Sequence, residues 1–325
     1  MNKTLKTVAV AIAALGMAGS ANASLSLFQT FTGDVHMSTA GCGSTTQNCN
    51  MTVNVPVGAT VLGVYLYSSL FSSATPGGVL SLGATTNNYG SGATALGPNV
   101  SSPTLQAWRK DVTSTFASKF SAGGAFTFNV TETDSTQDGE GLVVVYDQGG
   151  ANVNTVFVFD GSSASAGDAF GFGIAPITAS SQAEMRLGIG FSFDGTNCGG
   201  ISTPQVSTVT VNAAALSNNA GCNDDSIDAT PADGNLITVG GDNDAISPLL
   251  PTVTQDHERY NLAQLLPLST SSLNLTTRNP SNDDNIFLAA FQFSGRAIVN
   301  PVPEPATLVL LGVGLAGLGF SRRKK

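Results

Sequence analysis

Short apolar segments recur along the middle of this chain, and clusters of turn-forming residues separate them. In several segments apolar and polar residues alternate, which is the period of a half-buried β-strand. The two clearest apolar faces are Phe126, Phe128 and Val130, and Phe287, Ala289, Phe291 and Phe293. Gly, Ser, Thr and Asn are abundant, whereas the helix formers Lys and Glu are scarce. This pattern predicts an all-β, sandwich-like domain.

The predicted strands follow from the same pattern. They cover residues 25–31, 51–57, 61–67, 125–131, 142–146, 155–159, 185–193, 206–211, 235–239, 273–276 and 286–294. Residues 142–145 form an unbroken apolar run, which is typical of a strand buried on both faces. We predict helix only at residues 111–120 and 260–266, with a turn or two at each place.

The N-terminal residues have the pattern of an export signal. Two lysines precede an apolar run at residues 8–17, and Ala21-Asn22-Ala23 has the small-x-small pattern of a signal-peptidase site. We therefore predict a signal peptide at residues 1–23, with signal peptidase as a partner and Ser24 as the first residue of the mature chain.

The C-terminal residues combine a stiff stalk, an apolar run and a basic end. Three prolines between residues 301 and 305 fix the backbone in an extended form and hold Glu304 out of any helix. Residues 306–320 predict a short membrane helix, which would rise about 22 Å against a hydrocarbon core of roughly 30 Å. The basic cluster that follows should stay cytoplasmic, which places the rest of the chain across the membrane. It consists of Arg322, Arg323, Lys324 and Lys325.

This tail resembles the PEP-CTERM sorting signal of Gram-negative bacteria, in which a short motif precedes a membrane helix and a basic end. The residues that match the motif are Val302, Pro303, Glu304 and Pro305. The resemblance implies that an exosortase recognises and processes the tail. It also implies transit through the inner membrane to the outer surface or extracellular matrix, usually in organisms that make extracellular polysaccharide.

Between the two signals lies a β-rich ectodomain at residues 24–300, followed by the sorting tail at residues 301–325. Seven basic and 21 acidic residues remain in residues 24–300, so this segment carries a formal charge of −14. Such a charge disfavours nucleic acid as a partner. Residues 198–244 are rich in Gly, Asn and Asp, and we predict long loops there that could be an insertion in the sandwich.

Four cysteines form two local pairs, Cys42 with Cys49 and Cys198 with Cys222. In an exported chain disulfides are the natural interpretation. Three connectivities are open, and pairing of nearest neighbours is the simplest. A four-cysteine zinc site would show Cys-x-x-Cys spacing, so zinc is not expected.

Parts of the ectodomain resemble a loosely defined group of exported cell-surface β domains that often carry such a tail. The matching residues are 58–67, 111–113, 141–146, 160–161, 258–262 and 279–288. That group has no activity that could be assigned to residues here.

Residues with enzymatic chemistry are few. Only His36 and His257 offer an imidazole, and no Gly-x-Ser-x-Gly elbow is present. A zinc-protease helix would need a second histidine where Asn261 stands, so we interpret Glu258 and Arg259 as the solvated start of a helix. We do not predict an enzyme.

Acidic residues are the remaining candidates for a site. Asp134, Asp138 and Glu140 should share one loop, and a glycosidase needs two carboxyls about 5 to 9 Å apart. Oxygen-rich loops also suit calcium, although plain turns are the simpler interpretation. The calcium candidates are Asp224, Asp225, Asp228, Asp233, Asp242 and Asp244, with Asp283 and Asp284 next.

These observations predict an exported structural or adhesive protein without a resident cofactor, calcium being the open exception. The alternative is a carbohydrate-binding or carbohydrate-active protein acting on exopolysaccharide. It would use the acidic loop or an aromatic platform made by Trp108, Tyr65, Tyr67 and Tyr89. Calcium-dependent adhesion is a third hypothesis.

Overall fold

A computed structural model describes residues 24–43, 46–72, 74–98, 105–163, 167–190, 207–220, 237–246, 258–279 and 285–300. The structure is mostly β, with 62% strand and 7% helix, which confirms the predicted all-β, sandwich-like class. The predicted signal peptide at residues 1–23 and the sorting tail at residues 301–325 lie outside the described residues. Every strand pairing among the described residues is antiparallel.

The first half of the chain supplies most of two sheets. Sheet 1 contains, in spatial order, β3 (Asn48–Val55), β9 (Gly124–Glu132), β5 (Gly78–Leu82) and β6 (Thr85–Asn88). Sheet 2 contains β2 (Val35–Gly43), β10 (Gln137–Asp147), β4 (Thr60–Phe71), β8 (Leu105–Asp111) and β7 (Thr94–Pro98).

The other two sheets come mainly from the second half. Sheet 3 contains β1 (Ser26–Gly33), β11 (Asn154–Asp160), β19 (Asn285–Ser294), β13 (Ala183–Gly190) and β16 (Thr238–Val239), and β17 (Arg259–Asn261) also pairs with β13. Sheet 4 contains β15 (Ala214–Ala220), β14 (Ser207–Val211), β18 (Ser272–Arg278), β12 (Ala169–Gly173) and β20 (Ile298–Asn300).

The four sheets stack in the order 1, 2, 3, 4, because three apolar cores fill the spaces between successive sheets. One core joins sheets 1 and 2, a second joins sheets 2 and 3, and a Phe-rich third joins sheets 3 and 4. Sheets 2 and 3 are therefore covered on both faces. As predicted, the four residues 142–145 of β10 are each 0% exposed.

One predicted face is wrong at Phe287. Alternation places it with Ala289, Phe291 and Phe293, but its ring lies in the core between sheets 2 and 3, whereas those three side chains lie between sheets 3 and 4. The register between β13 and β19 shifts beside Phe287, since Gly188 pairs with Leu288 and Ile189 pairs with Ile286. This β-bulge inserts one residue and reverses the alternation.

Within the described ranges, helix is limited to short turns, as predicted for residues 111–120 and 260–266. Helix α1 (Thr113–Phe116) continues into a 3₁₀ turn (Ala117–Phe120), and a second 3₁₀ turn covers Leu262–Leu265. The side chain of Asn261 caps that second turn by accepting a hydrogen bond from the backbone N–H of Ala263. Among the described residues no helix is long and apolar enough to cross a membrane, and the predicted membrane segment 306–320 lies outside them.

A disulfide joins Cys42 on β2 to Cys49 on β3, seven residues along the chain. It spans the connection between sheets 2 and 1, and both sulfur atoms are buried in the core between those sheets. The structure therefore pairs Cys42 with its nearest neighbour in sequence, Cys49. Cys198 and Cys222 lie outside the described residues. Between them, β14 and β15 are integral strands of sheet 4.

Candidate functional site

A polar cleft of about 370 Å³ opens where the ends of sheets 2 and 3 meet. Strand β2, the segment that enters β11, the segment before β13 and the last residue of β19 form its walls. Its lining residues are His36, Asn152, Val153, Asn154, Thr178, Ser180, Ser181, Gln182 and Ser294. Apart from the imidazole of His36, the lining side chains are amides, hydroxyls and one valine, so the cleft presents mainly neutral hydrogen-bonding groups.

His36 forms the floor of the cleft and is held by its neighbours. Its Nε2 atom lies 3.5 Å from Asp34 Oδ1 and 3.4 Å from Asn154 Nδ2, and its Nδ1 atom lies 3.4 Å from Gln292 Nε2. The imidazole also stacks on Tyr146, with ring centroids 5.8 Å apart. Because both ring nitrogens face partners, the imidazole has a fixed orientation beneath the cleft.

The rim of the cleft carries unused hydrogen-bonding capacity. The side chains of Asn152 and Gln182 are exposed, and neither forms a hydrogen bond with another described residue. Val153, at 39% exposure, adds an apolar surface between them. Amides beside an apolar side chain match an uncharged ligand with several hydroxyl groups and an apolar C–H face.

A second group of polar side chains is buried between sheets 1 and 2. Glu140 on β10 is 0% exposed, and its Oε1 atom accepts hydrogen bonds from Tyr89 at 2.8 Å, Gln137 at 3.0 Å and Ser68 at 3.2 Å. Glu132, at the end of β9, is 5% exposed and interacts with Glu140. The fold therefore brings together acidic side chains from two facing sheets.

Burial keeps Glu132 and Asp138 protonated near neutral pH. Desolvation and the nearby charge of Glu140 raise the pKa of Glu132 to about 10 and that of Asp138 to about 8, and desolvation also raises the pKa of Glu140. The predicted acidic loop is wrong for Asp138 and Glu140, because both lie on β10. Only Asp134 lies in a turn, where its Oδ1 atom accepts from Thr136.

Two calcium candidates lie in the described part of the chain. Asp242 Oδ1 is 2.5 Å from Arg186 Nη1, and Arg259 Nη1 donates to the carbonyl oxygens of Asp242 and Asp244. Asp244 Oδ2 accepts from the backbone of Gly241 at 2.6 Å. Arginine thus occupies oxygens that a calcium ion would use. The other candidates, Asp224, Asp225, Asp228, Asp233, Asp283 and Asp284, lie outside the described residues.

One further group of metal-ligating residue types occurs among the described residues. Cys42, Cys49 and Glu140 bring their side-chain atoms within 4.8 Å of one another. The two sulfurs are joined in the disulfide and offer no thiolate, so this group lacks the ligands that a soft metal requires.

The proposed aromatic platform is absent from the described surface. Tyr65, Tyr67 and Tyr89 are at most 3% exposed. Tyr67 donates to Asp160 at 3.0 Å, and Trp108 packs beside Leu70. The three tyrosine rings lie in the cores of the stacked sheets and offer no exposed face to a sugar.

Residues Glu258 and Arg259 are also not solvated. Glu258 is 0% exposed and its Oε2 atom accepts from Thr238 Oγ1 at 2.8 Å. Arg259 lies on β17, and its Nε atom is 2.7 Å from Glu184 Oε1. The buried Glu258 and the short strand β17, with a partly buried ionic contact at Arg259, therefore replace the predicted helix start, and His257 lies outside the described residues.

The last described strand, β20, ends at Asn300, and the stalk follows directly. Residues 301–324 match the family described as the PEP-CTERM protein-sorting motif. The chain therefore carries a PEP-CTERM sorting motif at its C-terminal end. The matched range includes the predicted motif residues Val302, Pro303, Glu304 and Pro305. The motif implies an exosortase as processing partner and export with transit through a membrane.

Comparisons with other proteins add little on the ectodomain of this PEP-CTERM protein. No curated protein matches the chain. A solved structure of a peptide-N(4)-(N-acetyl-beta-D-glucosaminyl) asparagine amidase is 11% identical, and the alignment covers 82% of this chain and 100% of that one. Its TM-score is 0.27, which supports no argument about fold or activity.

Proposed function

We propose that this PEP-CTERM protein is a non-enzymatic structural or adhesive protein of a Gram-negative bacterium. It would act at the outer surface or in an extracellular matrix such as that of a biofilm. The polar cleft carries this proposal. Its lining contains no carboxylate pair, and its free amides suit contact with a neutral surface rather than bond cleavage. The acidic side chains with raised pKa values support it, because Glu132 and Glu140 are almost completely buried.

The stacked sheets support a mechanical role. Two of the four sheets are covered on both faces. Strand β20, at the edge of sheet 4, immediately precedes the sorting tail in sequence. Three extensive apolar cores between the sheets resist local opening, which favours long persistence outside the cell.

Intact mass of the protein taken from the native cell surface, before and after reduction, tests the route. We expect loss of residues 1–23 and of the tail, and a gain of two hydrogens for each disulfide reduced. A chain with an intact tail, recovered only from the inner membrane, would contradict surface sorting.

Carbohydrate binding is the second candidate, and the arrangement of Asn152, Val153 and Gln182 favours it. Titration of the secreted protein with exopolysaccharide fragments should show saturable binding, which Asn152→Ala and Gln182→Ala each weaken. Asn88→Ala, on the exposed face of β6, is the matched control. Binding that survives both cleft substitutions would reject this site.

The same titration separates a lectin from an enzyme. Binding without turnover supports the non-enzymatic proposal. Turnover that is lost in Asp138→Asn or Glu140→Gln, with folding retained, would instead establish a carbohydrate-active enzyme.

A further inference from the structure

The first two described residues are docked against a buried carboxylate. The Ser24 hydroxyl donates to Asp168 Oδ1 at 2.7 Å, and the Leu25 backbone N–H donates to the same oxygen at 3.0 Å. Leu25 is 7% exposed and belongs to the core between sheets 3 and 4. The carbonyl oxygen of Ser24 also approaches Gly161 so closely that a Cβ there would lie 2.4 Å from it. Residues 24 and 25 are therefore part of the fold.

Asp168 is fixed at the junction of β12 and β18. It is 6% exposed, its backbone N–H donates to Thr277 Oγ1 at 3.1 Å, and its carbonyl oxygen accepts from the Thr277 N–H at 2.9 Å. The carboxylate consequently keeps its position beside Ser24 whatever happens to residues 1–23. A carboxylate buried to this degree is stabilised by donors and still more by a positive charge.

Signal-peptide cleavage after Ala23 would create that charge. In the precursor the nitrogen of Ser24 is a neutral peptide amide, whereas in the mature chain it is an ammonium group. Only three covalent bonds separate this nitrogen from the Ser24 hydroxyl that already contacts Asp168. Opposite charges within about 4–6 Å stabilise one another, and low local polarity strengthens the effect.

We propose that Asp168 is the receptor for the α-ammonium group of Ser24, so that cleavage by signal peptidase completes the fold. The proposal rests on the predicted cleavage site and is independent of the cell-surface role. It makes the processed chain more stable than its precursor, and it couples final folding to arrival across the membrane.

The test uses chains from Ser24 to Lys325 in detergent. Each chain is released from a fusion protein by a protease that makes Ser24 the N-terminal residue. Each chain is compared with its α-N-acetylated form, which removes the charge and adds few atoms. We expect acetylation to lower the melting temperature by about 2–4 °C. In Asp168→Asn, acetylation should have no effect. Equal losses in the two backgrounds, or no loss in either, would overturn the proposal.

Two controls define the result. Ser24→Ala keeps the ammonium group and should remain sensitive to acetylation, as should Asp147→Asn, which removes an acid that accepts from Gly149. If Asp168→Asn does not fold, the α-amino pKa, measured by pH-dependent labelling of the chain with Asp168, decides the question. We expect a pKa above the usual value of about 8. A pKa at or below that value would reject the pairing.

Discussion

Tyr89 Oη lies 2.8 Å from Glu140 Oε1 in the core between sheets 1 and 2. The phenol donates this hydrogen bond, and burial together with the neighbouring carboxyl raises the pKa of Tyr89 far above its usual value. The hydroxyl therefore remains a donor throughout the accessible pH range, and it partly satisfies an acid that water does not reach.

Tyr89→Phe should lower the free energy of unfolding by about 1–3 kcal/mol, because it leaves Glu140 with one donor fewer in a buried site. Denaturant unfolding measures this loss. Tyr65→Phe is the matched control, since Tyr65 is similarly buried and its hydroxyl forms no hydrogen bond with another described residue. Equal losses in the two variants would show that the Glu140 contact contributes nothing.

Stability should fall as pH rises above about 5. The folded protein keeps protons on Glu132 and Asp138, whose pKa values are about 10 and about 8, while the unfolded chain loses them near pH 4. The native state then binds more protons than the unfolded state, so each retained proton lowers the unfolding free energy by about 1.4 kcal/mol per pH unit up to the folded pKa. Unfolding curves between pH 5 and pH 8 measure the slope.

Glu132→Gln should flatten this slope and raise stability at pH 8, because the amide keeps a neutral group of the same shape at every pH. Asp111→Asn, a change at an exposed acid at the end of β8, should leave the slope unchanged. A slope that is identical in Glu132→Gln and the unmodified chain would show that Glu132 is ionised in the folded state.

Loss of the Cys42–Cys49 bridge should cost about 2–3 kcal/mol, as expected for a short closed loop on the chain-entropy model. The double variant Cys42→Ala with Cys49→Ala reports this cost by thermal or denaturant unfolding. If Cys198 and Cys222 also pair, reductant should destabilise the double variant further. No further change on reduction would leave Cys42–Cys49 as the sole bridge.

Arg186→Met should destabilise the fold by about 1–3 kcal/mol, because it removes the ionic contacts of a buried arginine to Asp242 and Glu184. Arg278→Met, on the exposed face of β18, is the control. Because Arg186 already neutralises Asp242, Asp242→Asn should leave any calcium-induced rise in melting temperature unchanged. A rise that disappears in Asp242→Asn would place a calcium ion there.

Alternating or unbroken apolar runs predicted most of the strands that border the cores, and the unbroken β10 run at residues 142–145 is the clearest case. They did not predict β2, in which Val35 and Met37 are followed by small or polar residues. Ser38 and Thr39 are nonetheless buried, since Ser38 accepts from the Asn54 N–H and Thr39 accepts from Arg186. These partners are distant in sequence, so no local period reveals the strand.

The sites illustrate the same limit. The acidic residues Asp138 and Glu140 predict a solvated loop when only local composition is considered. The sequence does not show that Glu132, on another sheet, faces them. The cleft had no sequence signal either, since His36, Asn152 and Gln182 are ordinary residues until three separate segments converge. The tail motif was predictable because its function depends on consecutive residues.

The three-residue strand β20 is the last described element before the sorting motif. Asn300 pairs with Gly171 and Ile298 with Gly173, and the motif begins at the next residue. Until the tail is removed, a pull on it directed away from β12 would reach those few hydrogen bonds first and open them in succession. The free segment would lengthen by about 10 Å as the strand detaches. The force would therefore be released at the edge of sheet 4 before it reached the inner sheets.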